Sequence, residues 1–497
     1  MTKIEINEIL LDDEQTKPII EMPKYSLIIA GAGSGKTLTM VGKIKYLLEN
    51  DYYKPEEILA ISFTNEAVNS LKKKININTG ANVDTLTFHR LALNILKTNN
   101  VEFNVLNSNY LEYLVDEFFN TKCFNNKNLM NSFFKYNYVL FKTDNNWHKL
   151  INEQTIKEAK KLIITFLNLF FGNGLNIHAW KGIFKLSNRH ERYLLNIIYA
   201  IYLAYIEEKD SSHKIDFNDM IVMATKYIKK GNIKLPYKFI LIDEFQDTSP
   251  IRFNLIKAII KVNNASLCCV GDDYQSIYHF SGCDIDLFLN YDKLLPGAVI
   301  YKLERTYRNS QELIKMAGDF INRNPLQVKK NLISDMHLTK PIKIIYYEKR
   351  KDIIIKLIKK IPSTESIFIL GRNNFDIKGY LNECDYELDN SNIRIKGLSD
   401  YNIKYLTIHS AKGLEADQVI ILNLEDGIYG LPSKQRDEDI LRFVKKNTSY
   451  PYEEERRLFY VGLTRTKRNV YLLVSKNKPS RFINEIKYYK DVEVIKG

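Results

Sequence analysis

Apolar and polar positions follow two rhythms along this chain. Short unbroken apolar runs have the length and composition of strands: YSLIIA (residues 25–30), ILAISF (58–63), KFILID (238–243) and SLCCVG (266–271). Between them lie longer segments with apolar residues three and four apart, such as TLTMVGKIKYLLEN (37–50), which predict helices. Strands that are apolar at every position and alternate with helices imply a parallel sheet covered on both faces. From His89 to about His213 the strand pattern lapses into a mostly helical block rich in aromatic, Asn and Lys residues. After VIYKLERTYRNS (299–310) a second strand series begins: IKIIYY, SIFILGR, YLTIHSA, QVIILNL and NVYLLVS, with a helix expected over Glu453–Arg465 before the last. The expected class is α/β, with two parallel-sheet domains and a helical insertion in the first.

Composition narrows the partners. The 497 residues, 45% hydrophobic and 26% charged, suit a globular chain of about three domains. A formal net charge of +13 favours a polyanion, either nucleic acid or an anionic membrane surface. The five cysteines, Cys123, Cys268, Cys269, Cys283 and Cys384, are odd in number and lack zinc-site spacing; Cys268 and Cys269 sit in an apolar run and are expected to be buried. The N-terminus carries acids where a signal peptide would be apolar, and LIITFLNLFF is too short to span a bilayer. A soluble cytoplasmic protein in a reducing compartment, with no membrane partner, is expected.

Ala30-Gly31-Ala32-Gly33-Ser34-Gly35-Lys36-Thr37 follows a strand and opens a helix, the context that a phosphate loop requires. Its glycines let backbone N–H groups turn toward phosphate oxygens, and the helix N-terminus adds positive potential. Lys36 is expected on the β/γ-phosphates of ATP and Thr37 on Mg²⁺. The strand KFILID ends in Asp243-Glu244. Acids at that edge lie beside a phosphate loop, with Asp243 as the Mg²⁺ partner and Glu244 placed to take a proton from attacking water.

The strings LDDEQ, ISFTNEAV, TFHRLA, DEFQDT, VGDDYQSIYHFSG, LERTYRNS, LTIHSAKGLEAD and EEERRLFYVGLTRTK, in this order, resemble the motifs of UvrD/Rep-like superfamily 1 DNA helicases. From Gly271 onward the likeness is greatest to the helicase IV branch. The resemblance implies two RecA-like motor domains: residues 1–93 with 213–305, and residues 306–497, with residues 94–212 inserted as a helical domain. It implies Gln15 at the adenine edge, Tyr307 stacked on the adenine, and Arg308 and Arg465 reaching the γ-phosphate across the cleft. Gln275 would sense that phosphate, and Glu415 would contact the ribose or order that edge. Phe63, Thr64, Thr87, His89, Tyr278, Phe280 and His409 match positions along single-stranded DNA. Phe280 stands where many relatives have Trp, and Ser281 where Arg is usual. DFNDM (216–220) is read as structural.

Only 32 residues separate Arg372 from Tyr405, too few for the large helical insertion that relatives carry there. No acidic nuclease-like cluster follows the last motif. The expected activity is a 3′-to-5′ DNA helicase and single-strand translocase acting on single strands and single/double-strand junctions. The alternative is an ATP- and DNA-sensing regulatory subunit beside a nuclease partner, as in Gabija-type phage defence.

Overall fold

The computed structural model describes residues 4–141, 152–231, 233, 235–434, 438–445 and 450–496. Two sheets organise it. The first has six strands in the order Val299–Leu303, Tyr25–Ala30, Ser266–Gly271, Phe239–Ile242, Ile58–Ile61 and Asp84–Leu86, all paired in parallel. The central strands are buried along nearly their whole length, which is why their sequences read as unbroken apolar runs. Cys268 and Cys269 are buried thiols on opposite faces of one of these strands.

The second sheet has eight strands: Tyr386–Asp389, Asn392–Ile395, Ile403–Thr407, Ile367–Gly371, Ala416–Ile421, Thr466–Ser475, Ile342–Tyr347 and Val492–Lys496. Its pairings are parallel except at one edge, where Tyr386–Asp389 and Asn392–Ile395 form an antiparallel hairpin whose second strand also runs antiparallel to Ile403–Thr407. That hairpin occupies the stretch between Arg372 and Tyr405, where the sequence shows no room for a further domain.

The block between the strand series is helical. Tyr110–Phe118, Lys127–Phe141, Glu153–Gly172, Ile177–Leu186 and Arg189–Ser212 supply its elements. Its aromatic content is core: Phe166, Phe170, Trp180 and Tyr202 pack on one another. Part of the block, residues 142–151, lies outside the described residues. A contribution that local pattern does not foretell comes from the far end of the chain. Ile440, Leu441 and Val444 are buried in this same helical core, and Arg442 forms an ion pair with Glu191. No helix among the described residues is long and apolar enough to cross a membrane.

Where the two sheets meet, Ala32, Tyr274 and Ile277 from the first share one apolar cluster with Leu332, Leu458 and Tyr460. The glycine loop and the segment after the Ser266–Gly271 strand therefore line the seam.

Candidate nucleotide and nucleic-acid site

The glycine loop runs from the end of the Tyr25–Ala30 strand into the Lys36–Glu49 helix. Gly33 (φ +74°) and Gly35 (φ +78°) occupy the left-handed region, which glycine enters without steric cost. Space forbids a side chain too: a Cβ on Gly33 would lie 2.6 Å from Arg308 Cβ. The segment carrying Arg308 is thus already laid on the loop. Tyr307 N donates to Gly33 O at 2.9 Å, and Thr306 Oγ1 to Ala32 O at 2.7 Å. Gln15 sits behind the loop, buried, with Nε2 donating to Ser34 O at 3.0 Å; its own helix is closed by a capping box with Asp12. Tyr307 is 53% exposed, its hydroxyl on the Asp12 carboxylate.

Lys36 Nζ lies 3.3 Å from Glu244 Oε1. Glu244 adopts φ +47° at the end of the Phe239–Ile242 strand, an uncommon conformation for a non-glycine residue and one that concentrates at functional sites. Burial opposes ionisation of Glu244, but Lys36 and then Lys412 outweigh it and hold its pKa at about 2. For Asp243, burial and then the neighbouring Glu244 push the pKa up to about 7. The Asp243 oxygens and the hydroxyl of the half-buried Thr37 are donors of the kind that a hard ion such as Mg²⁺ takes.

From Glu244 a hydrogen-bonded chain crosses the seam. Gln246 Nε2 donates to Glu244 Oε2 at 2.5 Å, and Asp272 N donates to Gln246 Oε1 at 3.0 Å. Gln275 Nε2 donates to Asp272 Oδ2 at 2.6 Å, and Arg465 Nη2 to Gln275 Oε1 at 3.0 Å. Arg465 is fully buried, and burial, followed by Arg308, lowers its pKa to about 10. Arg308 Nε donates to Glu415 Oε2 at 2.7 Å. Glu415, expected to contact the ribose or order that edge, is the partner of this arginine.

Two lysines escaped sequence reasoning. Lys412 Nζ pairs with Asp247 at 2.5 Å, donates to Gln275 O at 2.7 Å and lies over the Tyr278 ring. Lys330 is fully buried between Asp272 and Asp273, against Tyr274. Lysine is rarely buried unless paired, so neither betrays itself as a single residue. Lys412 at least lies within the string LTIHSAKGLEAD; Lys330 carries no signal.

The residues expected along DNA fall into two groups. Tyr278, Phe280 and His409 converge: Phe280 is 52% exposed, its ring 5.7 Å from His409, and Tyr278 Oη donates to His409 O at 3.1 Å. Phe63 and His89 belong to a second cluster with Phe88, Phe217 and Arg252. The hydroxyls of Thr64 and Thr87 cap the helices Asn65–Thr79 and Phe88–Thr98. Asp216 likewise caps Phe217–Lys229, as a structural motif should, but Phe217 is itself 41% exposed beside His89. Burial lowers the pKa of both His89 and His409 to about 4, helped by Arg252 and Arg372 respectively. Near pH 7 both are neutral rings rather than phosphate-binding cations.

Residues 11–296 match the UvrD/REP helicase N-terminal domain, and residues 382–477 the UvrD-like helicase C-terminal domain. The chain is 27% identical to DNA helicase IV of Escherichia coli (strain K12), over 96% of this chain and 70% of that protein. It is 31% identical to the ATP-dependent DNA helicase Rep of Buchnera aphidicola subsp. Schizaphis graminum, and 29% identical to a probable DNA helicase II homolog of Rickettsia conorii. Each of these two matches covers 67% of this chain and 48% of the relative. With the N-terminal domain match alone spanning more than half of its residues, the chain belongs to the UvrD/REP helicase family.

Proposed function

We propose that this protein is an ATP-dependent DNA helicase that translocates 3′ to 5′ along single-stranded DNA. The observation that carries the reading is the shared cleft: Lys36 and Glu244 on one wall, with Arg308 against Gly33 and Arg465 on Gln275 closing it from the other. Residues 1–93 with 213–305 would form one motor lobe, residues 306–497 the other, and residues 94–212 the inserted helical domain.

Lys36 neutralises Glu244. A triphosphate in the cradle would draw Lys36 onto its β/γ-oxygens, free Glu244 to orient water, and raise its proton affinity toward that of a working base. Thr37 and Asp243 would hold Mg²⁺, which neutralises charge on the phosphate oxygens. Gln15 and Tyr307 would bracket the adenine. Arg308 would leave Glu415 for the γ-phosphate, and Arg465 would be aimed there by Gln275; a planar, permanently charged fork suits phosphate oxygens. Loss of the γ-phosphate would release both arginines and loosen the seam, a hinge motion driven by differential contacts. Phe63 and His89 on one side and Tyr278, Phe280 and His409 on the other would grip the strand by stacking, without sequence preference.

Strand displacement tests this reading. Duplexes with a 3′ single-stranded tail should be unwound in the presence of ATP and Mg²⁺, and duplexes with a 5′ tail should not. DNA-stimulated ATP hydrolysis without unwinding of either would refute helicase activity in the isolated chain.

A further inference from the structure

The edge of the second sheet beside Phe280 and His409 carries two more exposed rings. Ile367–Gly371 lies between Ile403–Thr407 and Ala416–Ile421, all parallel, with Gly371 opposite Thr407. The loops leaving these three strands therefore start side by side, two strand spacings or about 10 Å across. One loop bears His409. The next bears Phe375, 50% exposed, and the third bears Tyr429, 65% exposed. The rings of Phe375 and Tyr429 meet edge to face, centroids 5.5 Å apart and planes at 84°.

The backbone under these rings is fixed. Asn373 N donates to Asp376 Oδ2 at 2.9 Å, Tyr405 Oη donates to Asn373 O at 2.8 Å, and Asn373 Nδ2 reaches Tyr429 O at 3.3 Å. Ser433 Oγ donates to Ile428 O at 2.6 Å. Arg372, which opens the Phe375 loop, is held by Glu455 through Nε and Nη2. Rigid loops presenting paired aromatic rings to solvent call for a ligand with a flat apolar face.

We propose that Phe375 and Tyr429 form a second stacking platform for bases of the strand that crosses Phe280 and His409. This rests on the helicase reading of the chain. A nucleobase is favoured as occupant because the platform continues the row of strand ends that begins at His409. The rings are aromatic, as sequence-tolerant base stacking requires, and the chain's +13 charge attracts the phosphates that accompany bases.

Equilibrium binding of a fluorescein-labelled oligo-dT, long enough to span both platforms, tests the proposal. The variants are Phe280→Ala, the double variant Phe375→Ala/Tyr429→Ala, and Tyr429→Phe. Circular dichroism checks folding, which the exposed positions should spare. The double alanine variant should bind roughly 5- to 150-fold more weakly for each stack lost, while Tyr429→Phe should retain wild-type affinity. If Phe280→Ala weakens binding and the double variant does not, the platform is refuted while the helicase reading stands; the rings would then serve another surface. If Tyr429→Phe loses as much as the double variant, stacking is refuted as the mode of contact. If the wild-type chain binds no oligo-dT, both readings fall together.

Discussion

Replacing Lys330 by Met would remove the ammonium that holds two buried carboxylates together. Lys330, Asp272 and Asp273 have no side-chain exposure, and Lys330 Nζ is 2.7 Å from Asp273 Oδ1 as well as bonded to Asp272. The variant loses the ammonium that the two buried carboxyl groups share. Removing one partner of a buried ion pair costs about 3–5 kcal/mol, because the remaining charge is desolvated and unpaired. The expected result at pH 8 is a loss of that size in urea-induced unfolding followed by circular dichroism. The pH dependence has a definite sign. Burial and, after Lys330's opposing pull, Asp272 raise the pKa of Asp273 in the native state, and loss of Lys330 raises it further. A carboxylate whose pKa is higher folded than unfolded gains native-state protons as pH falls. The deficit should therefore shrink on acidification through that raised pKa. Adding Asp273→Asn restores the local net charge and should recover at least half of the loss. A variant within about 1 kcal/mol of wild type at pH 8, below the buried-pair range, or a deficit that grows on acidification, would refute the reasoning. Because Asp272 holds Gln275, and Gln275 holds Arg465, ATP hydrolysis should also fall while the variant remains folded.

Other expectations bear on the cleft and the strand path. Glu244→Gln should lower the hydrolytic rate by about 10²–10⁴-fold while retaining nucleotide binding measured by fluorescence; equal losses in both would remove Glu244 from proton transfer. Gly33→Ala should abolish nucleotide binding, because its Cβ would collide with Arg308 Cβ at a left-handed backbone position; wild-type binding in this variant would contradict the packing. His409→Phe should retain affinity for single-stranded DNA near pH 7, since His409 is already a neutral ring there, whereas His409→Ala should lose roughly fivefold or more. A comparable loss in His409→Phe would assign the role to the imidazole nitrogens.

Local pattern made the central strands legible because burial on both faces leaves few polar positions to interrupt them; the more exposed Tyr386–Asp389 and Asn392–Ile395 carried no such signal. The glycine loop was legible for a different reason: its spacing is dictated by φ at Gly33 and Gly35 and by the helix start at Lys36. Asp243 and Glu244 followed from their place at a strand end. What local pattern could not reveal are contacts made across the seam. Lys330 and Lys412 read as two more surface lysines in a chain of 72 Lys and Arg, until tertiary structure brings carboxylates to them. Ile440, Leu441 and Val444 read as part of the second lobe, yet they bury against helices more than two hundred residues earlier. Thr64 and Thr87 show another limit, since matching a motif does not reveal that their hydroxyls also cap helices.

The central claim is that a triphosphate bound at the seam of two lobes is turned over in response to a bound single strand. Steady-state ATP hydrolysis by the wild type and by Lys36→Ala, each with and without oligo-dT, tests it most directly. The account predicts hydrolysis stimulated by oligo-dT in the wild type and none in Lys36→Ala, with oligo-dT binding retained by that variant. Wild-type hydrolysis indifferent to oligo-dT, or undiminished turnover in Lys36→Ala, would contradict it.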